Sequence, residues 1–142
     1  MTGPTILVAT DFSTGGKAAL DLASSVARDR KGSLLIVHVQ EIANPANAAD
    51  SLYPRENNDA ELLEKQLQTV GSEDPTIPVR RVLLKGDPSD AICDLAEKEG
   101  VQLIVIGTHG RRGILRLLMG SVAELVVRRA KCPVLVVKQP EV

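Results

Sequence analysis

The chain has 142 residues, of which 44% are hydrophobic but only 1% aromatic, and its formal net charge is −1. At this length a single domain, 1–142, buries about 68–70% of the surface its unfolded chain exposes, so no disulfide or structural metal is needed to hold it together. The near-neutral charge argues against a polynucleotide partner, and no apolar stretch approaches membrane-spanning length.

A core with so few aromatics must be built from Val, Leu, Ile and Ala, which suits parallel strands covered by helices. Cys93 and Cys132 lie far apart with no CxxC spacing. They argue against a metal knuckle or redox motif, fit a reducing compartment, and read as buried small hydrophobes. No charged region followed by a long apolar segment precedes Ile6-Leu-Val-Ala9, and the expected location is the cytoplasm.

Taken in order, Thr5 to Thr10 is an apolar run ending at Asp11, followed by a helical stripe at Ala19, Leu22, Ala23, Val26 and Ala27. Ser33 to Val39 reads as a second strand. Alternation aims His38 away from Val37 and Val39 and toward one helix layer, as a core histidine and not a base. From Ala43 to Asn58 the chain turns polar, with Pro45, Pro54 and several asparagines, and reads as a loop. Ala60, Leu63, Leu67 and Val70 then mark one face of a second helix, with Gly71 as its stop. Val79 to Leu84 is a third strand. Asp87-Pro88 starts the next helix with Asp as cap and Pro as first helical residue, and Ile92, Leu95 and Ala96 face inward. Leu103-Ile-Val-Ile106 is the fourth strand and Val134-Leu-Val-Val137 the fifth.

Strands of this length alternating with helices predict right-handed βαβ crossovers and a doubly wound parallel sheet with helices on both faces. In such sheets ligands bind beyond the carboxyl ends of the strands, where the winding direction reverses. The chemically marked ends are those of strand one, at Asp11, and strand four, at Gly107. Gly107-Thr-His-Gly110 turns twice where a Cβ is unwelcome, and nine residues later Gly120-Ser121 opens a helix. Ser121-Val-Ala-Glu124 has the form of a capping box, and the first turn of that helix offers free N–H groups to an anion. The plain alternative is that the glycines only end a strand and Ser121 only caps. Two glycine-bearing turns flanking Arg111, Arg112 and Arg116 favour a phosphate site.

Glycine, two residues, glycine, nine residues, glycine, serine resembles the nucleotide-binding pattern of the ATP-binding branch of the universal stress protein family. Thr10-Asp11-Phe12-Ser13 and Lys131-Cys-Pro-Val-Leu-Val-Val137 resemble that family as well, so the likeness covers nearly the whole chain. It implies a five-stranded Rossmann-like sheet in the order 3-2-1-4-5. It also implies that Ala9, Asp11 and Val39, with Thr10 beside them, surround the adenine and ribose of ATP, while Ile106 and Gly107 lie along the nucleoside. His109, Gly110, Gly120, Ser121, Val122 and Ala123 would then meet the phosphates. Mg2+ or Mn2+ would be held by phosphate oxygens and water, since no carboxylate cluster stands in the motif.

Asp11 can instead be a helix cap, although Ser13 or Thr14 can cap and leave the carboxylate to a ligand. Other phosphate motifs fail: there is no GxxxxGK[ST] and no GxGxxG. A receiver domain would need more than the single Asp11 at the tip of strand one and an aspartate at the tip of strand three, where Leu84-Lys85 stands instead, and a flavin carrier would need aromatics to stack on. No nucleophile and base stand at a recognisable spacing, which favours a nucleotide-binding regulatory module over a slow ATPase or a nucleotide-independent interaction protein. Pro133 to Lys138, an edge strand in this order, predicts a homodimer, as the family resemblance also implies.

Overall fold

The computed structural model describes residues 3–41, 60–108 and 120–138. Aliphatic runs form β1 (Thr5–Ala9), β2 (Ser33–Gln40), β3 (Val79–Lys85), β4 (Leu103–Gly107) and β5 (Val134–Val137), alternating with α1 (Thr14–Asp29), α2 (Ala60–Gln68), α3 (Pro88–Lys98) and α4 (Ser121–Arg129). All strand pairs are parallel and the order is β3-β2-β1-β4-β5, as expected. The loop read between 43 and 58 lies outside the described residues.

Period-two alternation sends successive strand residues to opposite faces. Ile6, Val8, Leu34, Ile36 and Val105 meet α1 and Leu67 of α2 on one side. Leu7, Leu35, Val37, Ile104 and Ile106 meet Ile92 and Ala96 of α3 and Ala123 and Val126 of α4 on the other. The central strands are therefore buried on both faces, which is why they read as unbroken apolar runs.

Helix α1 differs from its sequence pattern in one respect. Leu22 is 39% exposed, whereas Leu20 and Ser24 are buried. Alanines at 19, 23 and 27 let the helix lie close on the sheet, and the buried stripe is rotated toward Ser24. A serine is tolerated there because its hydroxyl donates to the Leu20 carbonyl at 2.8 Å.

On the opposite face α3 and α4 pack side by side. Arg129 pairs with Asp90, and Lys131 Nζ lies 3.0 Å from Glu97 Oε1. These exposed pairs contribute little individually, and the apolar layer beneath them does the packing. Cys93 and Cys132 border that layer half-buried instead of fully buried. Burial pushes both thiols up, with the Asp94 carboxylate adding to the effect at Cys93.

Candidate functional site

The topology places the ends of β1 and β4 side by side. Val8 pairs with Val105, so Ala9 runs on alongside Ile106, and on the other flank Ala9 pairs with Val37. Ala9, Val39 and Ile106 all belong to the α3/α4 side of the sheet, together with Val122 and Ala123. Residues from four separate stretches of sequence thus share one end of one face.

Two backbone bonds tie the tip of β4 to β5 and to the start of α4. The Thr108 N–H donates to the Val137 carbonyl at 2.9 Å, and the Thr108 carbonyl accepts from the Gly120 N–H. Thr108 is buried, and it fixes the start of α4 directly beyond β4. The sequence reading missed this role. The available signal was its position inside the glycine motif, between Gly107 and His109. His109 and Gly110, with Arg111, Arg112 and Arg116, lie outside the described residues.

At the start of α4 the N-cap is Gly120 and Ser121 is the first helical residue, exposed to solvent. With glycine as the cap residue there is no cap side chain to bond the first turn, so the expected capping box led by Ser121 does not form. A cap needs extended backbone, and here it is Gly120 that is extended, with φ −68° and ψ 159°. The N–H groups of the first turn have no acceptor within the helix. Ser121, Val122 and Ala123 therefore present the positive end of the helix dipole beside Gly107.

Beyond β1 the chain makes an elbow, Thr10-Asp11-Phe12-Ser13. The Thr10 N–H donates to the Val37 carbonyl at 2.8 Å and extends the pairing by one residue. Thr10 Oγ1 accepts from the Phe12 N–H at 3.0 Å, and Asp11 Oδ1 accepts from the Ser13 N–H at 3.0 Å. Ser13 caps α1, its hydroxyl accepting from the Gly16 N–H at 3.3 Å, as one of the two expected cap candidates. Asp11 consequently braces the turn without capping the helix. A Cβ on Gly16 would stand 2.9 Å from Thr10 Oγ1, so any other residue there would force the Thr10 side chain to shift.

His38 is half-buried on the α1/α2 side, bonded through Nδ1 to the Thr10 carbonyl at 2.7 Å, with its ring centroid 4.4 Å from that of Phe12. It sits behind the elbow and away from the face that carries Val39. Among the described residues no three His, Cys, Asp or Glu side chains converge as a metal site. None of the described helices is long and apolar enough to cross a membrane. A cavity of about 330 Å³ lined by Pro4, Val26, Gln102 and Pro133 opens at the other end of the strands, remote from these groups. The convergence of chemistry is at the carboxyl ends of β1 and β4.

The family model described as the universal stress protein family matches residues 4–138. Universal stress protein A homolog 1 of Coxiella burnetii is 34% identical over 140 residues, covering 96% of each chain. Universal stress protein MJ0531 of Methanocaldococcus jannaschii is 32% identical over 144 residues, 96% of this chain and 82% of that one. A solved universal stress protein in complex with cAMP shares the fold with a TM-score of 0.65 at 26% identity, covering 99% of this chain and 100% of the other.

Proposed function

The chain belongs to the universal stress protein family, and from that premise we propose that residues 1–142 form one cytoplasmic regulatory module that binds ATP. The observation that carries this reading is the bond from the Gly120 N–H to the Thr108 carbonyl. It holds the uncapped start of α4 against the end of β4, the neighbour of β1. An anion is what such a helix start accepts.

In this reading a base would lie at the carboxyl end of the sheet, next to Ala9, Val39 and Ile106 of its apolar α3/α4 side. Thr10, Asp11 and Gly107 border it, and Gly120, Ser121, Val122 and Ala123, with His109 and Gly110 of the same motif, would receive the phosphates. The cAMP complex of a relative supports the adenine class. Phosphate oxygens and water would hold Mg2+ or Mn2+, since they supply hard oxygen ligands that the described residues do not gather. Binding comes ahead of catalysis in this reading, because His38 faces the α1/α2 layer and is already bonded to Thr10. A slow ATPase is the second outcome, and release of ADP from pure protein would select it.

Mg-ATP at a hundred times its dissociation constant is expected to add about 2.7 kcal/mol to unfolding stability, with Mg2+ alone adding none. A melting temperature indifferent to millimolar Mg-ATP rejects the proposal. We further propose a homodimer through β5, an edge strand whose residues Val134–Val137 are all only half-buried. Light scattering at micromolar concentration is expected to return a dimer mass, and a monomer mass rejects the pairing.

A further inference from the structure

We propose that His38 is a positioning residue: from behind the sheet it holds the β1 elbow through the Thr10 carbonyl, and so sets Asp11 for the nucleotide. The second half of this inference rests on the ATP-binding reading above; the first half does not. β1 ends at Ala9, so the Thr10 carbonyl lies beyond the strand, and the imidazole supplies its partner at 2.7 Å. A carbonyl only accepts, which requires the proton on Nδ1 and makes His38 the donor.

The elbow needs such a hold. Phe12 has φ 66°, a left-handed conformation that a residue with a Cβ rarely adopts, and such a conformation persists only where its surroundings impose it. Between the elbow and the end of α2 runs a groove of about 320 Å³, lined by Thr10, Phe12, Ser13, Lys17, Gln66 and Val70. The ring of His38 against Phe12 and its bond to Thr10 grip the elbow on both sides of Asp11. Val39, the next residue along β2, meanwhile faces the α3/α4 layer and the candidate base surface. One strand thus supplies both a wall of the site and, on its reverse, the restraint on the site's carboxylate.

The test compares His38→Leu, which keeps apolar bulk without the donor, with His38→Asn, whose side-chain amide can stand in for Nδ1–H. Hydrogen exchange is followed at the Phe12 and Ser13 amides, with Val8 in the buried part of β1 as the control for folding. In the Leu variant, Phe12 and Ser13 are expected to exchange about tenfold faster while Val8 is unchanged, and Mg-ATP affinity is expected to fall about tenfold, the worth of one hydrogen bond. In the Asn variant both quantities are expected to return to within about threefold of wild type. Unchanged exchange in His38→Leu overturns the proposal, as does equal behaviour of the two variants, or a loosened elbow with undiminished affinity. A wild type that binds no Mg-ATP overturns the nucleotide reading and the role of Asp11 with it, and the exchange measurement alone then decides whether His38 holds the elbow.

Discussion

Helices α3 and α4 start on the same face of the sheet with opposite treatment of their free N–H groups. At α3, Asp87 accepts from the Asp90 N–H at 3.0 Å and from the Ser89 hydroxyl at 2.8 Å, and Pro88 in the first turn removes a donor. Ser89 is 1% exposed, so its hydroxyl is satisfied inside the protein, while Asp87 and Asp90 stand at the surface. At α4, Gly120 has no side chain to offer, Ser121 is exposed, and the cap residue's own N–H is bonded to the end of β4. Capping stabilises a helix by satisfying its first turn; leaving the turn bare forgoes that stability and preserves an anion site. The comparison sets a helix start closed by its own cap against one that the proposed function assigns to a phosphate.

Gly120→Val presses hardest on this contrast. Its φ and ψ are extended and open to any residue, so the fold is expected to persist while the branched side chain blocks approach to the N–H groups. Calorimetric titration is expected to register a loss of Mg-ATP affinity of about a hundredfold, or roughly 2.7 kcal/mol. Wild-type affinity in this variant would remove α4 from the site.

Asp87→Ala is the mirror experiment. It removes a cap and leaves the buried Ser89 hydroxyl without its acceptor, which together should cost about 2 kcal/mol in urea unfolding. Mg-ATP affinity is expected to stay at the wild-type value. A fall in affinity here would mean that the two helix starts are not independent.

The smallest effect is predicted for Ser121→Ala. Were Ser121 a cap, the change would destabilise the protein by about 1 kcal/mol. Since Gly120 is the cap and Ser121 is exposed, stability is expected to move by no more than about 0.5 kcal/mol. Loss of a hydroxyl contact to phosphate should still weaken Mg-ATP by about fivefold. Unfolding and titration measured on the same variant distinguish the two roles, and a stability loss without an affinity loss would restore the capping box.

Much of the fold and part of the site were legible in the sequence. Asp87-Pro88 was readable as a helix start because both of its signals are local: a short side chain that reaches its own backbone and a ring that fixes φ. Gly107 and Gly120 do mark the end of β4 and the start of α4, but Gly107 is still a strand residue and Gly120 has φ −68°, so neither is the special backbone turn that glycine suggested. The capping box at Ser121 was misread because serine-x-x-glutamate fits a helix that begins one residue later than this one does. That frame is set by where Thr108 seizes Gly120, a contact between residues about a dozen apart in sequence.

The chain by itself determined its class, since aliphatic runs of strand length alternating with helical stripes leave few ways to bury both faces of a sheet. It also pointed to the ends of strands one and four as the candidate site, because Asp11 and the glycine motif break the apolar pattern there. Tertiary structure alone decided how the helices rotate on the sheet, which exposes Leu22 and buries Ser24, because that rotation depends on how closely the alanines of α1 approach their neighbours. It also decided what His38 does. Periodicity could place that ring on one side of β2, but its partner is the Thr10 carbonyl 28 residues earlier, and only the parallel pairing of β1 with β2 brings donor and acceptor within hydrogen-bond reach.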